Sequence, residues 1–382
     1  MPVDKFCRML SIAIKMLLHN KTRSISTIVG ITFAFFLSSA QVGLMVGWCN
    51  TCTAIIRHAN VDVWVMADHT PAFDYGTPIP RQRLYQVRSV PGVAWAESMF
   101  MGWMFWRRPD GRVTNIELVG VDDGLVGAPW KMADQAVNVI FDPDSVIIDT
   151  LYQGQLGVER LGEEVEIGDR RAVVHGFSKD VRTLTAAPFV FTSVDAGVKY
   201  DLRYRADEIT YVLARCESGV TPEQLRDAIS AELHSGQVLT STEFVWKTIR
   251  YWMLETGLGI TVITTAVLGL VIGTVIIGQT LYSITNDHLP NYATLLAIGF
   301  GRGQLVCIVL IQAIVLGVIG IVIGSTILGR VSALSQTTPI PIETRPDVLG
   351  GIVIVLLGSC VVASLLSVRS IFRIDPVSVF RN

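Results

Sequence analysis

At 382 residues the chain is long enough for two domains, yet half of it is apolar and only 17% is charged, against roughly 25% in ordinary soluble chains, so lipid is the expected solvent for part of it. A formal net charge of −2, with no basic stripe, gives no reason to expect a nucleic-acid partner.

Residues 1–23 set apolar side chains at helical spacing in "VDKFCRMLSIAIKMLLHNKTR", with Lys and Arg opposite, which predicts an amphipathic helix lying in the cytoplasmic interface. Residues 24–56 lack Asp, Glu, Lys and Arg and read as the first transmembrane helix and its stalk, with the span near 25–48 and the helix continuing past Cys49 toward Arg57. A cleaved signal peptide would want a shorter apolar core and a small-residue cleavage site, whereas this run keeps full spanning length through "GITFAFFLSSAQVGLMVGW".

Residues 57–241 predict an extracytoplasmic α+β domain. "VDVWVM" is a strand, "RQRLYQVRSV" a helix, and "VAWAESMFMGWMFWRR" and "VTNIELVGVD" are strands divided by the turn "PDGR". "ITYVLARC", "TPEQLRDAISAELHSG" and "QVLTS" repeat the order strand, helix, strand, and Thr221, Pro222 and Gln224 mark the helix start. Two flanking halves meeting in space around a central β-rich insertion, with a hairpin at "EEVEIGDRRAVVHGF", is the arrangement this order implies.

Residues 242–284 carry no evident breaker and read as a stalk continuous with the second transmembrane helix, whose span lies near 257–284. A cytoplasmic loop follows at 285–303, a third span at 304–328, an outer loop at 329–347, a fourth span at 348–368 and a cytoplasmic tail at 369–382. Lys5, Arg8, Lys15, Lys21 and Arg23 before the first span, and Arg369, Arg373 and Arg381 after the last, place both termini on the cytoplasmic side. The expected fold is therefore membrane α-helical: four transmembrane helices, with a large α+β extracytoplasmic domain between the first and second spans.

Within the spans, Gly43 and Gly47, Gly269 and Gly273, and Gly320 and Gly324 form small-xxx-small pairs that allow close helix packing or dimer contact. Gln41, Gln279 and Gln312 are polar groups expected to bond between helices, and Phe36, Gln41 and Gln279 are candidates for a dimer interface. No ionisable residue stands mid-span, which argues against an ion-coupled transporter.

Catalytic signatures are missing from the sequence. There is no GxxxxGK[ST] phosphate loop, no HExxH and no nucleophile elbow, and "GFGRGQ" follows no strand and lacks the lysine. No catalytic residue, metal site or cofactor of the chain's own is expected. His58, Met66 and His69 are too loosely spaced for a metal or haem site. Of six cysteines, Cys7 is cytoplasmic, Cys307 and Cys360 fall in spans, and Cys49, Cys52 and Cys216 lie on the outer side. "CNTC" is compatible with a redox pair or with small residues at a helix exit.

The cytoplasmic loop holds the most specific pattern. Asn286 or Asp287 can cap a short helix, Pro290 sits in its first turn, and Tyr292, Leu295, Leu296, Ile298 and Phe300 give it an apolar side before the exit at Gly299 and Gly301. Such a face wants a groove on another protein, or else packs back on its own bundle. "DHLPNYATLLAIGFGRGQL" resembles the corresponding loop of FtsX-like permease subunits of ABC exporters, most closely the DevC-like branch. The resemblance extends to "LSIAIKMLLHNKTRSISTIVGITFAFFLSSAQVGL", to "YWMLETGLGITVITTAVLGLVIGTVIIGQTLYSITNDHLPNYATLLAIG" and to the tail "SIFRIDPVSVFRN", and loosely to the outer domain through "VDVWVM" and "IELVGVD".

The resemblance implies a MacB-type (type VII) ABC permease fold, working as a homodimer in a bacterial inner membrane with a separate cytoplasmic ABC ATPase that alone binds ATP and Mg. It further implies a periplasmic adaptor protein, an outer-membrane channel, and export of lipid-like or other hydrophobic cargo by mechanotransmission. In such systems the loop docks on the ATPase, which assigns that contact here to Asp287, His288, Leu289, Pro290, Tyr292, Leu295, Leu296 and Gly299. The rival readings are an FtsX-like signalling permease that activates a cell-wall hydrolase, and a membrane thiol oxidoreductase using Cys49 and Cys52.

Overall fold

Strand and helix alternate through the middle of the chain and give way to long apolar helices toward both ends. The computed structural model describes residues 3–19 and 21–372. In chain order come α1 (Val3–His19), α2 (Lys21–Cys52), α3 (Ala54–His58), β1 (Val63–Met66), β2 (Ile79–Pro80), α4 (Gln82–Arg88), β3 (Val93–Arg107) and β4 (Val113–Val121). They are followed by β5 (Ser145–Asp149), α5 (Gln153–Leu156), β6 (Glu164–Ile167), β7 (Arg170–Ser178), β8 (Phe189–Ser193), α6 (Val194–Tyr200), β9 (Glu208–Ile209), β10 (Tyr211–Cys216), α7 (Pro222–Glu232) and β11 (Gln237–Thr240). Last are α8 (Ser241–Arg250), α9 (Leu258–Asp287), α10 (Leu289–Ala297), α11 (Arg302–Ser335) and α12 (Pro346–Phe372). The chain divides into a sheet unit, residues 47–259 with 336–341, and a helical unit drawn from 1–46, 260–335 and 342–382.

In the sheet unit nine strands join in the order β11-β1-β10-β3-β4-β8-β5-β7-β6. The first four bring together β1-α4-β3 and β10-α7-β11, the two strand-helix-strand segments at either end of the domain's sequence, in the split βαβ pattern. β3 is fifteen residues long and takes part in both ends of this sheet. Its first half pairs with β10, while Trp106 and Arg107 at its far end pair with Ile167 and Glu166 of β6, closing β3-β4-β8-β5-β7-β6 into a barrel. A separate two-stranded ribbon joins β2 to β9.

Side chains alternate across this sheet, as a strand's period of two requires. One face, with Phe100, Trp106, Leu118, Ile148 and Val174, packs on α4 and α7 and fills the barrel. The other, with Trp64, Met99, Val119, Phe191 and Leu213, is covered by α3, α8 and the loop residues Phe73, Ile140 and Val181. Trp64 sits among Phe73, Tyr211 and Phe244 at ring-centroid distances of 6.1, 5.7 and 5.4 Å and donates to the Ser241 hydroxyl at 3.0 Å. Thr221 and Gln224 form a capping box on α7, and Thr240 and Glu243 form one on α8.

In the helical unit α2, α9, α11 and α12 are each long and apolar enough to cross a membrane. α11 is the most enclosed of the four, with half of its most apolar stretch buried. Ile31, Ala34 and Phe35 of α2, Ile277 of α9, Ala313 and Leu316 of α11 and Leu356 and Cys360 of α12 share one core.

Three expectations about element bounds are corrected. The segment entering the second span is broken: Tyr251–Glu255 widens into a π-turn, Thr256 N–H bonds back to Tyr251 O at 3.1 Å, and Gly257 then takes φ +78°, which no helix interior tolerates. α11 runs on to Ser335, because no Gly-Pro or Pro signal interrupts it before Thr337, so the connection to α12 is shorter than 329–347. α9 likewise continues through Asn286 and Asp287, so neither caps α10. Of the expected tail at 369–382, residues 373–382 lie outside the described residues.

Candidate coupling site

α10 is nine residues long, too short to hold its shape alone, and both of its ends are fixed. His288 occupies the N-cap position and Pro290 the first turn, where its missing N–H costs nothing. At the other end the Gly299 N–H bonds to Leu296 O and the Phe300 N–H to Leu295 O, both at 3.0 Å, a Schellman pair that needs the left-handed residue Gly299 supplies at φ +101°. Gln304 then reaches back to the Gly301 N–H at 2.9 Å and starts α11.

The apolar side of α10 is covered by its own chain. Tyr292 and Ala293 are fully buried, and Tyr292, Leu295 and Leu296 pack with Met9, Ala13 and Met16 of α1 and Leu305, Ile308 and Val309 of α11. The Gln312 side chain, buried in α11, lies beside the Tyr292 hydroxyl. α1 therefore uses its apolar stripe against α10 and α11, while Ile14 and Leu18 remain exposed.

Polar contacts tie the same corner. Asp287 pairs with Arg23 of α2, whose guanidinium also donates to Ser283 O at 3.3 Å; the cation offsets a carboxylate standing at the unfavourable C-terminal end of α9. His288 bonds to the Met16 carbonyl, which can only accept, so its other nitrogen, Nδ1, accepts from the Asn291 amide at 3.0 Å. Burial, then the neighbouring His19, hold the His288 imidazole below its ordinary pKa and keep it neutral. On the opposite side Pro290, Asn291, Thr294, Ala297 and Ile298 are exposed, Ile298 to 72%, and Gly299, Gly301 and Arg302 continue that bare surface. The arrangement anchors one side of α10 on its own chain and leaves the other exposed.

Comparison with known proteins gives the corner its context. Residues 24–232 match the MacB-like periplasmic core domain, and residues 263–376 match the C-terminal domain of FtsX-like permeases. The chain belongs to the MacB/FtsX-type ABC transporter permeases. Relatives named as ABC transporter permeases in Mycobacterium bovis and Mycobacterium tuberculosis are 22% identical over 376 residues, covering 97% of this permease and 99% of each of them. Among solved structures, the extracellular domain of the transporter YknZ from Gram-positive bacteria aligns at 14% identity and TM-score 0.35, over 47% of this chain and 98% of its own. The periplasmic region of MacB from Actinobacillus actinomycetemcomitans aligns at 9% identity and TM-score 0.37, over 48% and 90%.

The permease places the other sequence candidates as follows. Gly269 and Gly273 of α9 lie against Leu37 and Ala34 of α2, and Gly320 and Gly324 of α11 lie against Ile31 and Phe35 of α2, so these four serve packing within one subunit. Gly43 and Gly47 meet no helix; they admit the backbone of Glu343 and Pro341 respectively. Gln312 is buried, Gln41 and Phe36 are half-buried and Gln279 is exposed. Cys49 and Cys52 are free thiols within α2, and Cys52 Sγ donates to Cys49 O at 3.4 Å. His58 stacks on Trp130 at 3.9 Å and Met66 is buried in β1. Arg23 and Met16 were not foreseen in the corner; only the basic cluster ahead of the first span hinted at Arg23.

Proposed function

We propose that this permease couples a separate cytoplasmic ABC ATPase, which supplies all ATP and Mg binding, to movement of its sheet unit on the periplasmic side of a bacterial inner membrane. The observation that carries the reading is the two-sidedness of α10: Tyr292, Ala293 and His288 are pinned by the permease's own helices, while Pro290, Asn291, Thr294, Ala297 and Ile298 are left bare. This two-sidedness supports an ATPase contact on the exposed side of the helix, with Tyr292, Leu295 and Leu296 as the grip that passes displacement on. Two copies of the chain, both termini cytoplasmic, work with a periplasmic adaptor and an outer-membrane channel to move lipid-like or other hydrophobic cargo outward. The absence of ionisable residues mid-span supports an ATP-driven over an ion-driven cycle.

The test is affinity purification of the tagged permease from its own membranes, wild type beside Thr294→Arg/Ile298→Asp. An ABC ATPase should accompany the wild type and be lost from the variant at unchanged elution volume. If no ATPase accompanies either, the coupling role is wrong; if the variant retains it, the contact lies elsewhere.

A further inference from the structure

Glu117 occupies a position on β4 where strand alternation demands an apolar side chain. Its neighbours on that face are Val119 and Val121, and its register partner across β3 is Trp103. The side chain is fully buried. Oε1 accepts from the hydroxyls of Thr183 at 3.5 Å and of Thr185, while Oε2 has no donor among the described protein groups. The Glu117 side chain also meets the carboxyl of Asp74, in the turn Phe73–Tyr75 and itself 4% exposed. Asp74 Oδ2 accepts from Trp252 Nε1 at 2.8 Å, and its main-chain oxygen accepts from Trp103 Nε1 at 2.7 Å.

Two facing carboxyls can hydrogen-bond only while one keeps its proton, and ionising both would leave two like charges out of water. Among the described residues no lysine or arginine forms an ion pair with either. The titratable groups that face them are Tyr75 from the same turn, Tyr211 from β10, Tyr152 near Glu117 and Cys52 at the end of α2. All are neutral types near pH 7 and none can supply a compensating cation.

We propose that Asp74 and Glu117 form a proton-binding site that fastens Trp252, and with it the turn leading from α8 toward α9, to the central sheet. With one proton held, Glu117 donates to Asp74, and the Asp74 carboxylate takes a charge-assisted bond from Trp252. Loss of that proton to bulk water sets two anions against each other and opens the cluster to solvent. Gain of a second proton neutralises Asp74 and weakens its bond to Trp252. Burial pushes Asp74 up to about 6 and Glu117 well above the carboxylate range, so near neutral pH the single-proton form prevails.

The test uses the full chain in lipid nanodiscs, labelled with fluorotryptophan, with the Trp252 resonance assigned through Trp252→Phe. In the wild type this resonance should move on acidification with one apparent midpoint near 6, and in Asp74→Asn it should stay still. Infrared difference spectra at neutral pH should contain a protonated-carboxyl band that disappears in Glu117→Gln, a variant whose amide still donates to Asp74 and whose oxygen still accepts from the threonines. A Trp252 resonance unmoved over about pH 4–8, or a band unaffected by Glu117→Gln, overturns the proposal. Should a variant fail to fold, a wild-type infrared spectrum lacking the band at neutral pH overturns it equally.

Discussion

At the scale of single residues, this permease departs from apolar patterning where a polar group is spoken for. Glu117 lies on a buried face and His288 at a buried corner, and both are held in their neutral forms by desolvation. The stability consequence follows from the sign of the shift. Asp74 and Glu117 have folded pKa values above their unfolded ones, so the folded state binds more protons; the stabilisation is complete below about pH 4 and is lost as pH rises through about 6 and beyond. Between those limits the wild type should lose more thermal stability than Asp74→Asn/Glu117→Gln does, as read by differential scanning fluorimetry of the purified chain at stepped pH. Equal slopes would mean that the pair does not exchange protons on unfolding. Glu117 leaves a trace in the sequence, a charge among the apolar residues of "NIELVGV" that the strand assignment alone passes over, whereas its partner leaves none, because Asp74 lies 43 residues away in an irregular turn that no period describes.

At the scale of elements, glycine sets how near the helices come. A Cβ on Gly320 would stand 2.7 Å from Ile31 Cγ2 and 3.2 Å from Ile28 O, and Thr32 Oγ1 donates to the Gly320 carbonyl at 3.1 Å. Gly320→Val should therefore push α2 from α11 and destabilise the helical unit by about 1–3 kcal/mol. Gly329→Val, with nothing within 4 Å of its Cβ, is the matched control. Denaturant titration in detergent micelles distinguishes them, and equal midpoints would deny the close contact. The spacing of these glycines was readable, but not their partner, since small-xxx-small marks a surface without saying what approaches it. The capping box at Thr221 was legible for the opposite reason: cap, proline and glutamine all act within one turn. α10 shows both cases, its apolar side evident from the sequence and its cover supplied by α1, more than 270 residues earlier.

At the scale of the whole molecule, the chain passes between its two units at 46/47, 259/260, 335/336 and 341/342. The π-turn at Tyr251–Glu255 and the left-handed Gly257 stand just before the second of these. Gly257 went unnoticed as a breaker because it opens "GLG", a pattern membrane helices commonly contain. A Cβ there is strained by roughly 1–2 kcal/mol, so Gly257→Ala should raise amide exchange across residues 251–258 by about 5–30-fold while the ATPase still co-purifies. Unchanged exchange would mean that this backbone bears no strain. The four-helix plan and the α+β class were open to composition and periodicity, since each depends on runs of one character. Barrel closure was not, because it depends on two residues of β3 meeting β6 with β4, β5 and α5 between them in the chain.

That closure makes the central insertion a poor candidate for a detachable cassette. Read linearly, residues 113–207 look like an ornament between two halves of a simpler fold. Yet the far half of β3, from Gly102 to Arg107, has its partners only in β4 and β6, and the same side chains that fill the barrel continue into the layer beneath α4 and α7. Evolution can lengthen the loops between the inserted strands without touching the rest, but shedding the strands would bare one flank of the parent sheet and open its interior to water. Variation in size among chains built this way is therefore expected at the turns, with the number of barrel strands held fixed.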